Sequence, residues 1–394
     1  MKLEKSANGT HQLSVLDLFS GPGGMSQGIM NARSHDLRFQ VVAANDNNEA
    51  VMSTYTHNHP DVEFTLGSIT NEDVKKKIIS SIRRTTGRST VDLMVGGPPC
   101  KGFSLENKMT RSMDNPMNHL VMHYLEMVKR IKPTAFVMEN VPGILAMNKG
   151  KIIAFLMESL RGLGYHNTTA WLLNAADFGV PQMRRRAFMV GSRSKMPIKK
   201  PESTHGDIPS LLPYTTLTDV LSDLPEIQAG KTESNTTTYL HKSKNSFQRR
   251  IRVGSRRILN HTVTRNSDIV ISRIKSVPPG GNWSDIPVKL MKVDGKYSKL
   301  DAHSMIYKRL RMDRPSITIT NFRKAMLIHP TQDRLLSVRE AARIQTFPDR
   351  FEFMGGISNM QQQVSDAVPV GLAKKVGDMI LSHLHDAMMV PIIR

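Results

Sequence analysis

Cysteine is almost absent: Cys100 is the only one in 394 residues. A single thiol excludes an internal disulfide and a cysteine-built zinc site. No uninterrupted apolar run is long enough to cross a bilayer, and the opening MKLEKSANGTHQL lacks the apolar stretch of a signal peptide. These absences point to a soluble protein in a reducing, cytoplasmic setting, with no membrane partner. Internal repeats and low-complexity tracts are missing as well. Acidic residues are in short supply: 34 Asp and Glu face 54 Lys and Arg, a formal charge of +20. Such an excess suits a polyanionic partner, because Lys and Arg release counterions from phosphates on binding. The imbalance is sharpest between Lys242 and Lys275, where Asp268 is the sole acid. That one-signed stretch, interspersed with Ser, Asn, Gln and Phe, reads as a nucleic-acid face rather than a solubilising surface.

What is present is a core's worth of apolar residues, 39% of the chain, enough to exclude wholesale disorder. In the first half, short β-favouring runs (14–19, 39–44, 91–96, 135–139, 169–175 and 187–192) alternate with segments of helical spacing such as 118–131 and 152–164. Alternation of this kind predicts a doubly wound, Rossmann-like α/β sheet with helices on both faces, whose ligands sit at the carboxyl ends of its strands. A Pro-, Ser- and Lys-rich stretch after Arg193 reads as a linker, and periodicity stays weak through 193–330. It returns with helical patterns at 337–347 and 371–384. The expected organisation is therefore a catalytic domain over 1–192, a smaller irregular basic domain over 193–330, and a C-terminal return to the first domain over 331–394.

Three stretches carry chemistry. In LDLFSGPGGMSQG (16–28), an apolar strand ends in Gly21, Gly23 and Gly24 before a helix. Backbone N–H groups can approach a ligand closely there. Asp46 closes the second apolar run, where an acid can accept both hydroxyls of a ribose, so the pair points to an adenosine-bearing cofactor. Cys100 lies in VGGPPCKGFS (95–104). A lone cysteine is ordinarily a small buried hydrophobe. This one follows a strand-like run and a stiff Gly96-Gly97-Pro98-Pro99 turn that would fix the thiol's direction. Glu139 ends another strand-like run at the same edge, which would bring a nucleophile and an acid together. In GVPQMRRRAFMVG (179–191), strand alternation would aim Arg184 and Arg186 the same way, an arrangement that calls for an anion or carboxylate between them.

Taken in order, these elements resemble the DNA cytosine-5 methyltransferase family. DLFSGPGG resembles its cofactor loop, GGPPCKGFS its nucleophile loop, ENV (139–141) its acid, and QMRRR its Gln-x-Arg-x-Arg motif. RPSITIT (314–320), SVREAARIQTFPD (337–349) and QVSDAVPVGLAKKV (363–376) resemble its C-terminal motifs. The resemblance implies a class I methyltransferase fold and S-adenosylmethionine as cofactor. Its substrate would be a cytosine rotated out of duplex DNA. By resemblance Cys100 is the thiol that adds to C6 and Glu139 the group at N3. Arg186 would bind the base carbonyl, and Arg184 would steady the nucleophile loop. Phe19, Gly21, Gly23, Asp46, Asn47, Ser68, Ile69, Pro99, Leu120 and Asp366 match cofactor positions. Ser68 replaces the usual acid, and Asp366 the usual Asn.

DNA contacts are expected from Lys101 and Ser104 beside the thiol, from Gln182, and from Arg249, Arg250, Arg252, Arg256 and Arg257 in the recognition region. The resemblance further implies a monomer acting on double-stranded DNA at the nucleoid. It would be the modification half of a restriction–modification pair, with a cognate endonuclease acting separately, or a solitary methylase. Two other readings are a transfer-RNA cytosine-5 methyltransferase of the same fold and a catalytically silent DNA-binding protein. The first lacks a reason for the large basic insert, and the second predicts damage to motifs that are intact. No metal is expected.

Overall fold

The computed structural model describes residues 11–99, 119–228, 238–239, 241–293, 296–297 and 305–389. They fall into two compact units. One comprises Met1–Asn174, Arg185–Ser203 and Val368–Arg394, and the other Ala175–Arg184 and Thr204–Ala367.

The first unit is built on a seven-stranded sheet. Its strands are β1 (His11–Leu18), β2 (Leu37–Asp46), β3 (Glu63–Leu66), β4 (Leu93–Gly96), β5 (Ala135–Asn140), β6 (Thr169–Asn174) and, after the short β7 (Gln182–Met183) of the second unit, β8 (Arg185–Ser192). The spatial order is β3-β2-β1-β4-β5-β8-β6. Pairing is parallel from β3 through β5, and β8 runs antiparallel to both its neighbours. β1 is central, and its last six residues are all buried, which is why it reads as a nearly unbroken apolar run. Helices α1 (Gly24–Asn31), α2 (Glu49–Asn58), α3 (Glu72–Thr86), α4 (His119–Ile131) and α5 (Lys151–Gly162) occupy the crossovers.

α3 shows how sequence fixes such an element. The Asn71 side chain accepts from the Asp73 N–H, Glu72 and Asp73 meet the positive end, and Arg83 and Arg84 the negative end. Val74, Ile78 and Ile82 recur every four residues on the buried face. The C-terminal helix, Val370–Met389, packs on α1 through small residues. A Cβ at Gly377 would lie 2.8 Å from that of Ala32, and one at Gly28 would overlap Ala373, so glycine sets the closeness of the two helices.

The second unit is sparse in regular structure, with α6 (Leu217–Leu221), α7 (Ser246–Ile251), α8 (Asp268–Ser276), α9 (Val338–Ile344) and α10 (Ile357–Asp366). Its centre is held by charge as much as by apolar packing. Arg343, fully buried, donates to Asp223 (2.5 Å) and to Asp349 (2.7 Å), and Arg334 grips Glu340 through two bonds of 2.7 and 2.8 Å. These pairs correct the expected domain boundary. Residues 331–367 belong with the insert, because Arg343 is committed to Asp223 there, and the chain returns to the first unit only at Val368. Residues 175–184 likewise leave the first unit before the linker begins.

Candidate active site

The parallel strands of the first unit present their carboxyl ends at one edge, and the chemistry-bearing residues gather there. After β1 the chain turns sharply: Phe19 has φ of 55°, Gly21 54° and Gly23 100°. At Gly23 a Cβ would lie 2.8 Å from His59 Nε2, so no other residue fits. At Gly21 a Cβ would meet nothing within 4 Å; the loop is open on that side. Asp46, at the end of β2, ties the loop down. Its Oδ2 accepts from the Gly21 N–H and its Oδ1 from the Asn48 N–H, both at 3.0 Å. A carboxylate at that strand end is of the kind that accepts from ligand hydroxyls. Two buried oxygens under the loop, Asp17 Oδ1 and Ser20 Oγ, lack a partner among the described residues. An open glycine loop with an acid at the neighbouring strand end and bare polar atoms beneath it fits an adenosine-bearing, positively charged cofactor.

Of the other residues expected around a cofactor, Asn47 is exposed and Pro99 partly exposed. Ser68 bonds Thr70 (2.8 Å), Ile69 is buried in the core, and Leu120 packs against that core from α4. Cys100, Lys101 and Ser104 lie outside the described residues.

Between β5 and β8 the structure brings an acid and a guanidinium together. Glu139 Oε1 lies 2.9 Å from Arg186 Nε, with both side chains largely buried. The antiparallel sense of β8 explains the meeting, since its beginning, not its end, lies at the edge where β5 finishes. The second Glu139 oxygen would lie 3.0 Å from a Cβ at Gly97, so the carboxylate abuts the turn that precedes Cys100. Asn140 fastens the same turn: its buried Nδ2 donates to the Pro98 carbonyl at 3.1 Å, and its Oδ1 accepts from the Val141 N–H. The Tyr124 hydroxyl sits between the carbonyls of Met94 and Val137 (3.3 and 3.0 Å), joining β4 to β5. Burial holds its pKa well above the usual tyrosine value, so it remains a donor. Sequence reasoning singled out Glu139 and Arg186 but missed Asn140 and Tyr124. An Asn directly after the strand-ending Glu was the available signal for the first; a tyrosine on a helix offered none.

Arg184 does not continue the alternation of Arg186. It lies between β7 and β8, in the second unit, where its guanidinium donates to the carbonyls of Ile319 (2.7 Å), Ser365 (3.0 Å) and Ala367 (3.3 Å). Carbonyls, rather than a shared anion, satisfy its charge. Gln182 is fully buried, donating to Gln345 Oε1 (3.0 Å) and accepting from the Ile319 N–H (2.9 Å). It therefore braces this unit from inside instead of facing a duplex. Asp366 is exposed at the end of α10, where it accepts from Gln362 at 2.7 Å.

The basic segment divides. Arg249, Arg250, Arg256 and Arg257 are exposed, Arg250 lying over the Phe247 ring. Arg252 is turned inward: it bonds Asp223 (3.3 Å) and the His241 carbonyl (2.9 Å) and stacks 3.6 Å from the Tyr239 ring centroid. Its charge is spent on the fold, because Asp223 is fully buried and needs cations around it. Among the described residues no cluster of His, Cys, Asp and Glu could hold a metal ion, and no helix is long and apolar enough to cross a membrane.

Comparison with known proteins adds four findings. The family model for C-5 cytosine-specific DNA methylase matches residues 13–382. Type II methyltransferase M1.HphI of Haemophilus parahaemolyticus is 34% identical over 371 residues, covering 94% of this chain and 87% of the relative. M.AgeI of Thalassovita gelatinovora is 30% identical over 437 residues, covering 93% and 99%. Among solved structures, an E. coli prophage-encoded protein, provisionally named a DNA modification methyltransferase, superposes with a TM-score of 0.72 at 24% identity. The match covers 95% of this chain and 99% of that one.

Proposed function

Because the chain belongs to the C-5 cytosine-specific DNA methylase family, we propose that it methylates cytosine at C5 within a specific duplex DNA sequence, through a thiol adduct formed by Cys100. The observation that carries this reading is the 2.9 Å contact of Glu139 with Arg186 beside the turn that leads to Cys100.

C5 of cytosine is too weak a nucleophile to react unaided, so the ring must first be loaded with electrons. Cys100, as thiolate, bonds to C6 and pushes an electron pair towards C5. Glu139 hydrogen-bonds or protonates N3, keeping negative charge from stranding in the ring, and Arg186 supports the base carbonyl oxygen from the same side. S-adenosylmethionine, when bound, supplies an electrophilic methyl group. A base then removes the C5 proton, the C6–S bond breaks, and the thiolate is returned. Since C6 is stacked inside a duplex, the base must be rotated out, at a cost of roughly a few kcal/mol.

On the cofactor side, Gly21 and Gly23 let backbone N–H groups approach, and Asp46 accepts from the ribose hydroxyls. Phe19 and Pro99 wall the adenine. The exposed Arg249, Arg250, Arg256 and Arg257 contact phosphates and base edges, and Lys101 and Ser104 the phosphate beside the target. The protein serves as the modification partner of a separate restriction endonuclease and acts as a cytoplasmic monomer.

The test is incubation with S-adenosylmethionine labelled in its methyl group, offered duplex DNA or transfer RNA, together with bisulfite sequencing of DNA from expressing cells. Label in DNA, at cytosines of one sequence context and lost in Cys100→Ser, is the expected result. Label only in transfer RNA would replace the substrate, and no label in either would leave a DNA-binding protein without this chemistry.

A further inference from the structure

Asp17, the penultimate residue of β1, has no solvent-exposed surface. Its Oδ2 accepts from the Ser26 hydroxyl at 2.6 Å, and that hydroxyl lies 2.6 Å from the Tyr55 hydroxyl. The chain of donors runs from Tyr55 on α2 through Ser26 on α1 to the strand. Oδ1 is buried with no partner, and Asp17 forms no ion pair among the described residues. A carboxylate with one bare oxygen and no counter-cation is an expensive thing to bury, whereas a carboxylic acid is not.

The neighbourhood gives the charge little help. Tyr55 and Tyr124 are neutral, their pKa values raised by burial and by Asp17 itself. Asp46 on β2 adds a second negative charge. His59, just after α2, adjoins the Tyr55 ring and the Gly23 backbone. Burial first, and Asp46 in addition, push the Asp17 carboxyl up to about 7 against the Ser26 hydrogen bond. The residue thus changes charge near neutral pH, two positions before Phe19 opens the glycine loop.

We propose that Asp17 is a proton-exchanging counter-charge for the cationic cofactor: it holds a proton in the free enzyme and releases it to solvent when the cofactor settles on the loop above. The inference rests on S-adenosylmethionine being that cofactor. It carries a consequence for turnover. Methyl donation converts a sulfonium into a neutral thioether, so the product stabilises the Asp17 anion less. The carboxyl regains its proton, and the grip on S-adenosylhomocysteine loosens.

Isothermal titration calorimetry of the full chain near pH 7, in buffers of different ionisation enthalpy, counts the protons released. The wild type is expected to release about half a proton on binding S-adenosylmethionine, the fraction a group of pKa near 7 can give up. The homocysteine product should release fewer, and comparing the two cancels the ligand's own amine. Asp17→Asn should abolish the difference. Ser26→Ala keeps the carboxyl but removes its donor, so the pH of greatest release should move upward; this variant serves if Asp17→Asn does not fold. Tight binding with equal proton counts for both ligands, or for wild type and variants, overturns the inference and leaves the cofactor intact. No binding of S-adenosylmethionine to the wild type overturns the cofactor reading itself.

Discussion

Glu340→Gln is the change whose cost follows most directly from the structure. The Glu340 carboxylate is about 1% exposed, accepts twice from Arg334 (2.7 and 2.8 Å) and once from the Ser337 N–H (2.8 Å), and faces His329 Nε2 at 3.6 Å. Burial alone would raise its pKa; the charge of Arg334, and then that of His329, outweighs burial and holds it far below the usual 4.5. Glutamine keeps the shape but not the charge. It leaves the Arg334 guanidinium, 2% exposed, without its anion. It also turns an amide NH2 towards one of three donors. Breaking a buried pair from one side costs about 3–5 kcal/mol. With a urea slope of about 2 kcal/mol/M for a unit of this size, the midpoint should fall by roughly 2 M.

Trp171 and Trp283, the only tryptophans, lie in different units. Fluorescence of a Trp171→Phe background therefore reports the second unit alone. The pH dependence has a definite sign. Stability derived from a depressed carboxyl pKa is present above the ordinary value and lost as pH falls through the folded one, so the gap between wild type and variant should be constant from pH 6 to 8 and narrow below 4.5. His329 adds a separate acid limb. Burial, partly offset by Glu340, pushes it down to about 4, so folding loses about 3 kcal/mol as pH drops from 6.5 towards 4. A neutral-pH gap under about 1 kcal/mol, or one unchanged at acid pH, would refute the reasoning. The pair replacement Arg334→Met/Glu340→Leu should recover most of the loss, since no charge is left stranded.

Other expectations concern the site directly. Glu139→Gln and Arg186→Ala should each lower the single-turnover methylation rate by roughly 10²–10⁴-fold with cofactor affinity unchanged; an equal loss of cofactor binding would relocate their role. Asp46→Asn should weaken cofactor binding about tenfold, as expected for one charge-assisted hydrogen bond, and equilibrium dialysis checks it. Arg256→Ala/Arg257→Ala should reduce the slope of DNA affinity against salt by about 2. Arg252→Ala, by contrast, should lower thermal stability, because its partners are Asp223, the His241 carbonyl and Tyr239; a reduced salt slope with an unchanged melting temperature would reverse that assignment.

The first unit was largely legible because its strands are buried on both faces and its helices amphipathic. The expected runs at 39–44, 135–139 and 187–192 became Leu37–Asp46, Ala135–Asn140 and Arg185–Ser192. β3 escaped because it is four residues long, at the sheet edge, with one buried side chain. Glu139, Arg186 and Asp46 could be placed from strand ends alone. Arg184 could not: alternation assumes a continuous strand, and the backbone breaks at that residue. Arg252 was misjudged for a different reason. A run of like charges looks uniform in sequence, and only the pairing of residues 29 apart, with the buried Asp223, reveals which arginine is structural. Asp17 passed for an ordinary strand residue because its environment is set by Ser26 and Tyr55, distant in the chain.

The first unit is stitched from three stretches of chain, the last beginning at Val368. During synthesis, α1 emerges long before the C-terminal helix whose Gly377 it receives. Until that helix is made, Ile29 and Ala32 lack the Gly377 face that packs on them. A truncated or stalled product should therefore be sticky and short-lived rather than a half-active methylase. Two fragments cut in the linker after Ser203 should regain activity only when expressed together.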